Sequence, residues 1–90
     1  MGGLVPEVSR FFGIVIRIYF KDHAPPHFHA EYAGTEARIE IVSGRILSGR
    51  LAPRADRLVR DWLELHRLEL LADWQLAAAR RPLNPIAPLE

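Results

Sequence analysis

Apolar and polar positions alternate with a period of two through the first half of the chain, then switch to a period near 3.6. From Phe11 to Phe20, one parity (Phe12, Ile14, Ile16, Ile18, Phe20) is wholly apolar and the other (Phe11, Gly13, Val15, Arg17, Tyr19) is mixed. Such alternation in a β-rich stretch predicts a strand with the first set facing the core and the second half open. His27 to Tyr32 reads as a second, short strand. Glu36 to Val42 reads as a third, with Ala37, Ile39 and Ile41 inward, and Arg45 to Leu51 as a fourth. Ala33-Gly34-Thr35 and Ser43-Gly44 supply tight turns, and Lys21 to Pro26 forms a connector whose two prolines end any ladder.

Beyond Ala52 the pattern becomes helical. Pro53 suits the first turn of a helix, and no further Gly or Pro follows until Pro82. Ala55, Leu58, Val59, Trp62, Leu65 and His66 fall on one apolar stripe. The stripe then fails: Glu69 and Asp73 lie near its centre, while Leu68, Leu71, Trp74 and Ala78 gather almost opposite. Either two helices break near His66-Arg67, or one long helix packs first on its own sheet and then on something else. A single helix from Pro53 to Arg80 would run on the order of 40 Å at 1.5 Å per residue. That exceeds the width of so small a domain, so its far end is expected to meet a partner subunit. The tail, with Pro82, Pro85 and Pro88, should be extended, laying Leu83, Ile86 and Leu89 along an apolar groove.

The expected fold class is α+β in a single small domain. An antiparallel β-meander of three or four strands (9–51) precedes one long or two consecutive helices (53–81), packed on one sheet face, and then the tail (82–90). Composition adds limits. Apolar residues make up 49% of the chain, enough for a core and too many for a disordered regulator. The absence of cysteine excludes disulfides and thiolate ligands. Twelve Lys and Arg against 11 Asp and Glu leave no net field to select a partner. The first seven residues lack the pattern of a signal peptide, and Phe11 to Ile16 is too short to span a bilayer, so a cytoplasmic protein without membrane contact is expected.

The sharpest chemical feature is His23-Ala24-Pro25-Pro26-His27-Phe28-His29-Ala30-Glu31-Tyr32, which holds three of the four histidines. Along a strand His27, His29 and Glu31 point one way and Phe28, Ala30 and Tyr32 the other. Neutral imidazoles two apart can share a metal, with Glu31 and His23 as further candidate ligands. Alternate side chains on a flat strand stand roughly 7 Å apart, and Glu31 lies about twice as far from His27. A bulge or His23 is therefore needed, and the expectation is no stoichiometric metal and no other cofactor. With Arg17, Tyr19, Arg38 and Glu40 on neighbouring strands, the same face has the equipment of a metal-independent ribonuclease. There His27 or His29 would move the proton, and Arg17 and Arg38 would hold phosphate charge. A lattice of cross-strand salt bridges explains the same residues without catalysis.

Arg45, Arg50, Arg54, Arg57 and Arg60 form a basic run. Arg57 and Arg60 stand four residues before Asp61 and Glu64, at pairing distance on a helix. That leaves Arg45, Arg50 and Arg54 as candidate nucleic-acid contacts, for RNA or DNA. His66, beside Trp62 on the stripe, reads as a hydrogen-bonded core residue.

The chain resembles a bacterial family known only as domain of unknown function 4160. The resemblance rests on Ser9 to Arg17, His23 to Tyr32, Leu58-Val59-Arg60-Asp61-Trp62, Leu65-His66, Glu69-Leu70, Trp74 and Pro85 to Leu89. It implies no established activity. Family members resemble, in their pairing with another small family numbered 2442, the two-gene units of type II toxin–antitoxin modules. The leading expectation is accordingly an interaction module of such a pair. It would self-associate, or meet a small protein encoded beside it, through Leu68, Leu71 and Trp74.

Overall fold

The computed structural model describes residues 6–90; Met1 to Val5, the start of the stretch read for a leader signal, lie outside the described residues. Five strands, rather than three or four, form one antiparallel meander in chain order: β1 (Glu7–Phe11), β2 (Ile14–Arg17), β3 (His27–Tyr32), β4 (Thr35–Glu40) and β5 (Ile46–Gly49). One helix, α1 (Pro53–Ala78), follows. The expected α+β architecture is present, with a hairpin where one long strand was read. Phe12 and Gly13, with φ of 50° and 79°, turn the chain between β1 and β2. Phe11 pairs with Ile14 across this turn.

Two inward assignments are corrected. Phe12 sits at the hairpin tip and Phe20 lies past the end of β2, and they are 52% and 43% exposed. Ile14, Ile16 and Ile18 are fully buried, as their shared parity requires. Ala33 and Gly34 make the second two-residue turn, also with both φ values positive, and set the register of β3 on β4 from Tyr32↔Thr35 to His27↔Glu40. The last two strands are shorter than their sequence runs. An irregularity between Arg38 and Ile39 accompanies the pairing of Ala37 with Gly49.

The first half of α1 packs as its stripe demands. Ala55, Val59, Trp62 and Leu63 are buried, and the Trp62 ring meets Phe11 at 5.3 Å and Phe28 at 5.9 Å. Leu65 departs from the stripe and is 67% exposed. The phase change after His66 is a kink inside a continuous helix: His66 has non-helical φ and ψ of −127° and 21°. A straight helix of 26 residues would measure about 39 Å, more than the 33 Å longest extent of the chain. Bending at His66 fits it to its own domain.

The far end packs on the chain's own sheet and connector. Leu70, Trp74 and Ala77 are buried within the chain, and the Lys21 N–H donates to the Ala77 carbonyl at 3.2 Å. The tail lies in an apolar groove as expected. Ile86 is buried, Leu83 and Leu89 are half-buried, the Ile86 N–H donates to the Val8 carbonyl, and Trp62 Nε1 donates to the Ala87 carbonyl at 2.9 Å. Among the described residues no helix is long and apolar enough to cross a membrane.

Candidate metal centre

β3 is the middle strand, and both of its faces are covered at its first four residues. Phe28 and Ala30 face Trp62 and the core; His27 and His29 face the other way and are still only 2% and 7% exposed. Two aromatic rings account for this. Tyr19, two residues past the end of β2, stacks on His29 with ring centroids 4.2 Å apart, and Trp74 of α1 stands 5.1 Å from the His27 ring. The histidine face, read from alternation as open, is roofed at its histidine end.

The connector from β2 to β3 turns at Lys21, where φ is 52°, and brings Asp22 back over the two imidazoles. Asp22 Oδ2 lies 3.0 Å from His27 Nε2 and 3.4 Å from His29 Nε2. Its other oxygen, Oδ1, accepts the His23 N–H at 2.8 Å. Burial pushes the Asp22 carboxyl up. The His23 N–H and the adjoining His29 and His27 outweigh it, so the group ends below the usual carboxylate range.

The outer nitrogens are fixed as well. His27 Nδ1 lies 2.8 Å from the Pro25 carbonyl oxygen, and His29 Nδ1 lies 2.9 Å from Glu36 Oε2. A carbonyl oxygen only accepts, so His27 Nδ1 carries a hydrogen and donates it; an ionised Glu36 imposes the same on His29. With both Nδ1 atoms protonated, each neutral ring turns a lone pair at Nε2 toward an Asp22 oxygen that is also an acceptor. That arrangement needs something positive in the middle. Either second protons make imidazolium ions, or one cation sits among the three atoms.

The geometry accommodates the cation. Two ligands of one tetrahedral ion, each about 2.0–2.1 Å from it, stand about 3.3 Å apart. The two edges at Asp22 already match, and all three donor atoms lie within 4.8 Å of one another. Pro25 and Glu36 act as the outer hydrogen-bond partners that orient metal-binding imidazoles.

The other residues named from sequence fall elsewhere. Glu31 accepts from Arg17 Nε at 3.1 Å, and His23 is exposed and contributes its backbone N–H, so neither joins the three donors. Arg38 Nε donates to Ser48 Oγ at 2.9 Å, toward β5. Arg45, Arg50 and Arg54 are all exposed and come from different segments. Arg60 pairs with Asp56 and Arg67 with Glu64, in place of the Arg57–Asp61 and Arg60–Glu64 pairs. His66 is half-buried beside Trp62 and bonded to Glu69. Of the surface read as a partner interface, Trp74 is internal, Leu71 is half-buried and Leu68 is 82% exposed. Sequence reasoning missed Asp22, although it is the lone acid between Ile18 and Ala30.

Fold and site together define a small α+β protein with a buried two-histidine, one-carboxylate cluster. The sequence profile of a family described as domain of unknown function (DUF4160) matches residues 13–75, well over half of the chain, and the chain belongs to that family. The match includes Asp22, His27, His29, Glu36 and Trp74. No curated protein and no solved structure matches the chain.

Proposed function

We propose that the protein binds one divalent first-row transition metal through Asp22 Oδ2, His27 Nε2 and His29 Nε2, and works through that ion. The observation that supports this is the double fixing of both imidazoles. Their Nδ1 atoms are held by acceptors while their Nε2 atoms converge on a single carboxylate oxygen. Two nitrogens and one oxygen suit zinc, iron, cobalt or nickel better than magnesium or calcium. Three protein ligands leave coordination positions for water or for a ligand atom, the pattern of a reactive centre rather than a closed structural one. The metal-independent ribonuclease reading has less support, because Arg17 Nε and Arg38 Nε are engaged by Glu31 and Ser48 outside the three-residue cluster.

The test is cobalt(II) titration of metal-stripped protein, followed by its visible absorption, with elemental analysis after desalting. One ion per chain is expected, with Asp22→Asn, His27→Gln and His29→Gln each losing it while remaining folded by circular dichroism. Absence of stoichiometric binding, or binding unchanged in Asp22→Asn, overturns the proposal.

One observation favours a second, compatible reading as an interaction module of a toxin–antitoxin-like pair. Leu65 and Leu68 present large apolar side chains on the outer side of α1 at 67% and 82% exposure. Light scattering and co-purification with a neighbouring gene product test it. A monomer that retains no neighbour, unchanged by Leu65→Gln with Leu68→Gln, rules it out.

A further inference from the structure

The connector that delivers Asp22 also builds a separate cavity. Phe20, Lys21 and Arg80 line a space of about 220 Å³ where the end of α1 meets that connector. The two cationic residues share one backbone anchor: the Lys21 and Arg80 N–H groups both donate to the Ala77 carbonyl, at 3.2 and 3.1 Å. Both residues have left-handed φ values, 52° and 57°, and both are exposed. Neither is in a salt bridge among the described residues, and the acid next to Lys21 in sequence, Asp22, is turned toward His27 and His29. Two cationic side chains on the wall of one cavity, neither in a salt bridge among the described residues, favour an anion there.

The third wall narrows the choice of anion. Phe20 lines the same cavity and is 43% exposed, so an accessible aromatic ring stands on the wall beside the two cations. The cavity is smaller than a typical small-molecule site of about 300 Å³ or more. It has room for a phosphate-sized group, while a ring attached to that group lies over Phe20. Arg81, next in sequence, is a further exposed cation. A phosphate between cations with a base stacked on an aromatic is how single strands are held without sequence preference.

We infer that Phe20, Lys21 and Arg80 form a binding site for single-stranded nucleic acid, with a backbone phosphate between the two cations and a base on Phe20. The site does not depend on the metal reading and is testable in the presence of a chelator.

The experiment is fluorescence anisotropy with the full chain, EDTA and a labelled oligouridylate of about ten nucleotides, near the span of one small binding domain. Uridine monophosphate and a duplex of the same length serve as competitors. Saturable binding is expected, weakened about tenfold by Phe20→Ala through loss of stacking. Lys21→Gln and Arg80→Gln should each weaken it and lower the salt slope by about one. Arg54→Gln should leave it unchanged. Lack of saturable binding, or retention of full affinity in Phe20→Ala, overturns the inference. So does competition by the duplex or the mononucleotide equal to that of the single strand, or a loss carried by Arg54→Gln instead. Asp22→Asn should bind the oligonucleotide normally, which separates failure of this site from failure of the metal centre.

Discussion

The Trp74 ring lies against the His27 ring, with centroids 5.1 Å apart and planes inclined by 50°. The contact joins the second half of α1 to the candidate centre, and the kink at His66 turns that half so that Leu70, Trp74 and Ala77 face inward. A residue that reads as surplus apolar surface on a regular helix becomes the roof over a buried imidazole. The roof also makes a reporter. Nickel(II) or cobalt(II) bound at His27 Nε2 would quench the adjacent indole, so wild-type emission should fall saturably with added ion. Trp74→Phe keeps most of the ring packing and should lose most of the quench, because the other tryptophan, Trp62, lies on the opposite side of β3 against Phe28. A quench of undiminished size in Trp74→Phe would place the ion elsewhere.

Glu36 supports the centre from one strand away. Its carboxylate is 2.9 Å from His29 Nδ1, and Glu36 is exposed on β4, so the fold does not depend on burying it. An outer carboxylate fixes the imidazole tautomer and raises its basicity, and losing such a partner weakens metal affinity roughly 10–100-fold. Glu36→Ala should therefore reduce cobalt affinity by that order with little change in thermal midpoint. Glu36→Gln retains a carbonyl acceptor and should fall between. Calorimetric titration of the three proteins checks the order, and equal affinities would remove Glu36 from the site.

The readable parts of this chain are those where one face alternates without interruption. Ile14, Ile16 and Ile18, Ala37, Ile39 and Ile41, and the stripe through Val59 and Trp62 all go where period and polarity send them. The proline-spaced tail does too, with Ile86 in the core and Leu83 and Leu89 packed against it. The first hairpin was hidden because Phe12 continues the apolar parity while adopting a positive φ that favours Gly, Asn or Asp. Asp22 was hidden for another reason: periodicity places residues in strands and helices and says nothing of where a connector returns. The strand by itself argues against a metal, since His27, His29 and Glu31 spread along its length. A carboxylate arriving from outside the strand changes that geometry. The burial of the histidines follows from Tyr19 and Trp74, whose positions depend on the end of β2 and on the kink.

Gly49 carries a backbone requirement that a methyl group would violate. Its φ is 75°, and a Cβ there would stand 2.0 Å from the Glu36 carbonyl oxygen, which is backbone and has little freedom to yield. Gly34 has a similar φ of 81° but open space around it. Gly34→Ala should cost only the left-handed strain, about 1–2 kcal/mol. Gly49→Ala adds the overlap and should cost a further 1–3 kcal/mol, roughly as overpacking does. Because the displaced backbone is that of Glu36, Gly49→Ala should also loosen cobalt binding, whereas Gly34→Ala should not. Urea midpoints and cobalt titration of the two variants separate these effects, and equal costs would contradict the close β4–β5 approach.

Asp73 is almost fully buried in the second half of α1. Its Oδ1 accepts the Asn84 N–H at 2.9 Å, and its Oδ2 has no partner among the described residues. Burial pushes its carboxyl above the usual range, opposed by the Asn84 N–H and reinforced by the charge of Glu69. The folded pKa thus exceeds the unfolded one, so the folded chain binds the proton more tightly. The contribution of this group to stability is then present at acid pH and is lost as pH rises through the raised folded pKa. Near neutrality the ionised carboxylate is a burden on the fold. Asp73→Asn keeps an oxygen for the Asn84 N–H and removes the charge, so it should be at least as stable as wild type near pH 7. Its advantage should shrink toward about pH 4, where an ordinary carboxyl takes up its proton. Urea unfolding of both proteins across this range isolates the group, because other titrations cancel in the difference. A difference that stays constant with pH would show that the Asp73 carboxyl does not titrate with folding.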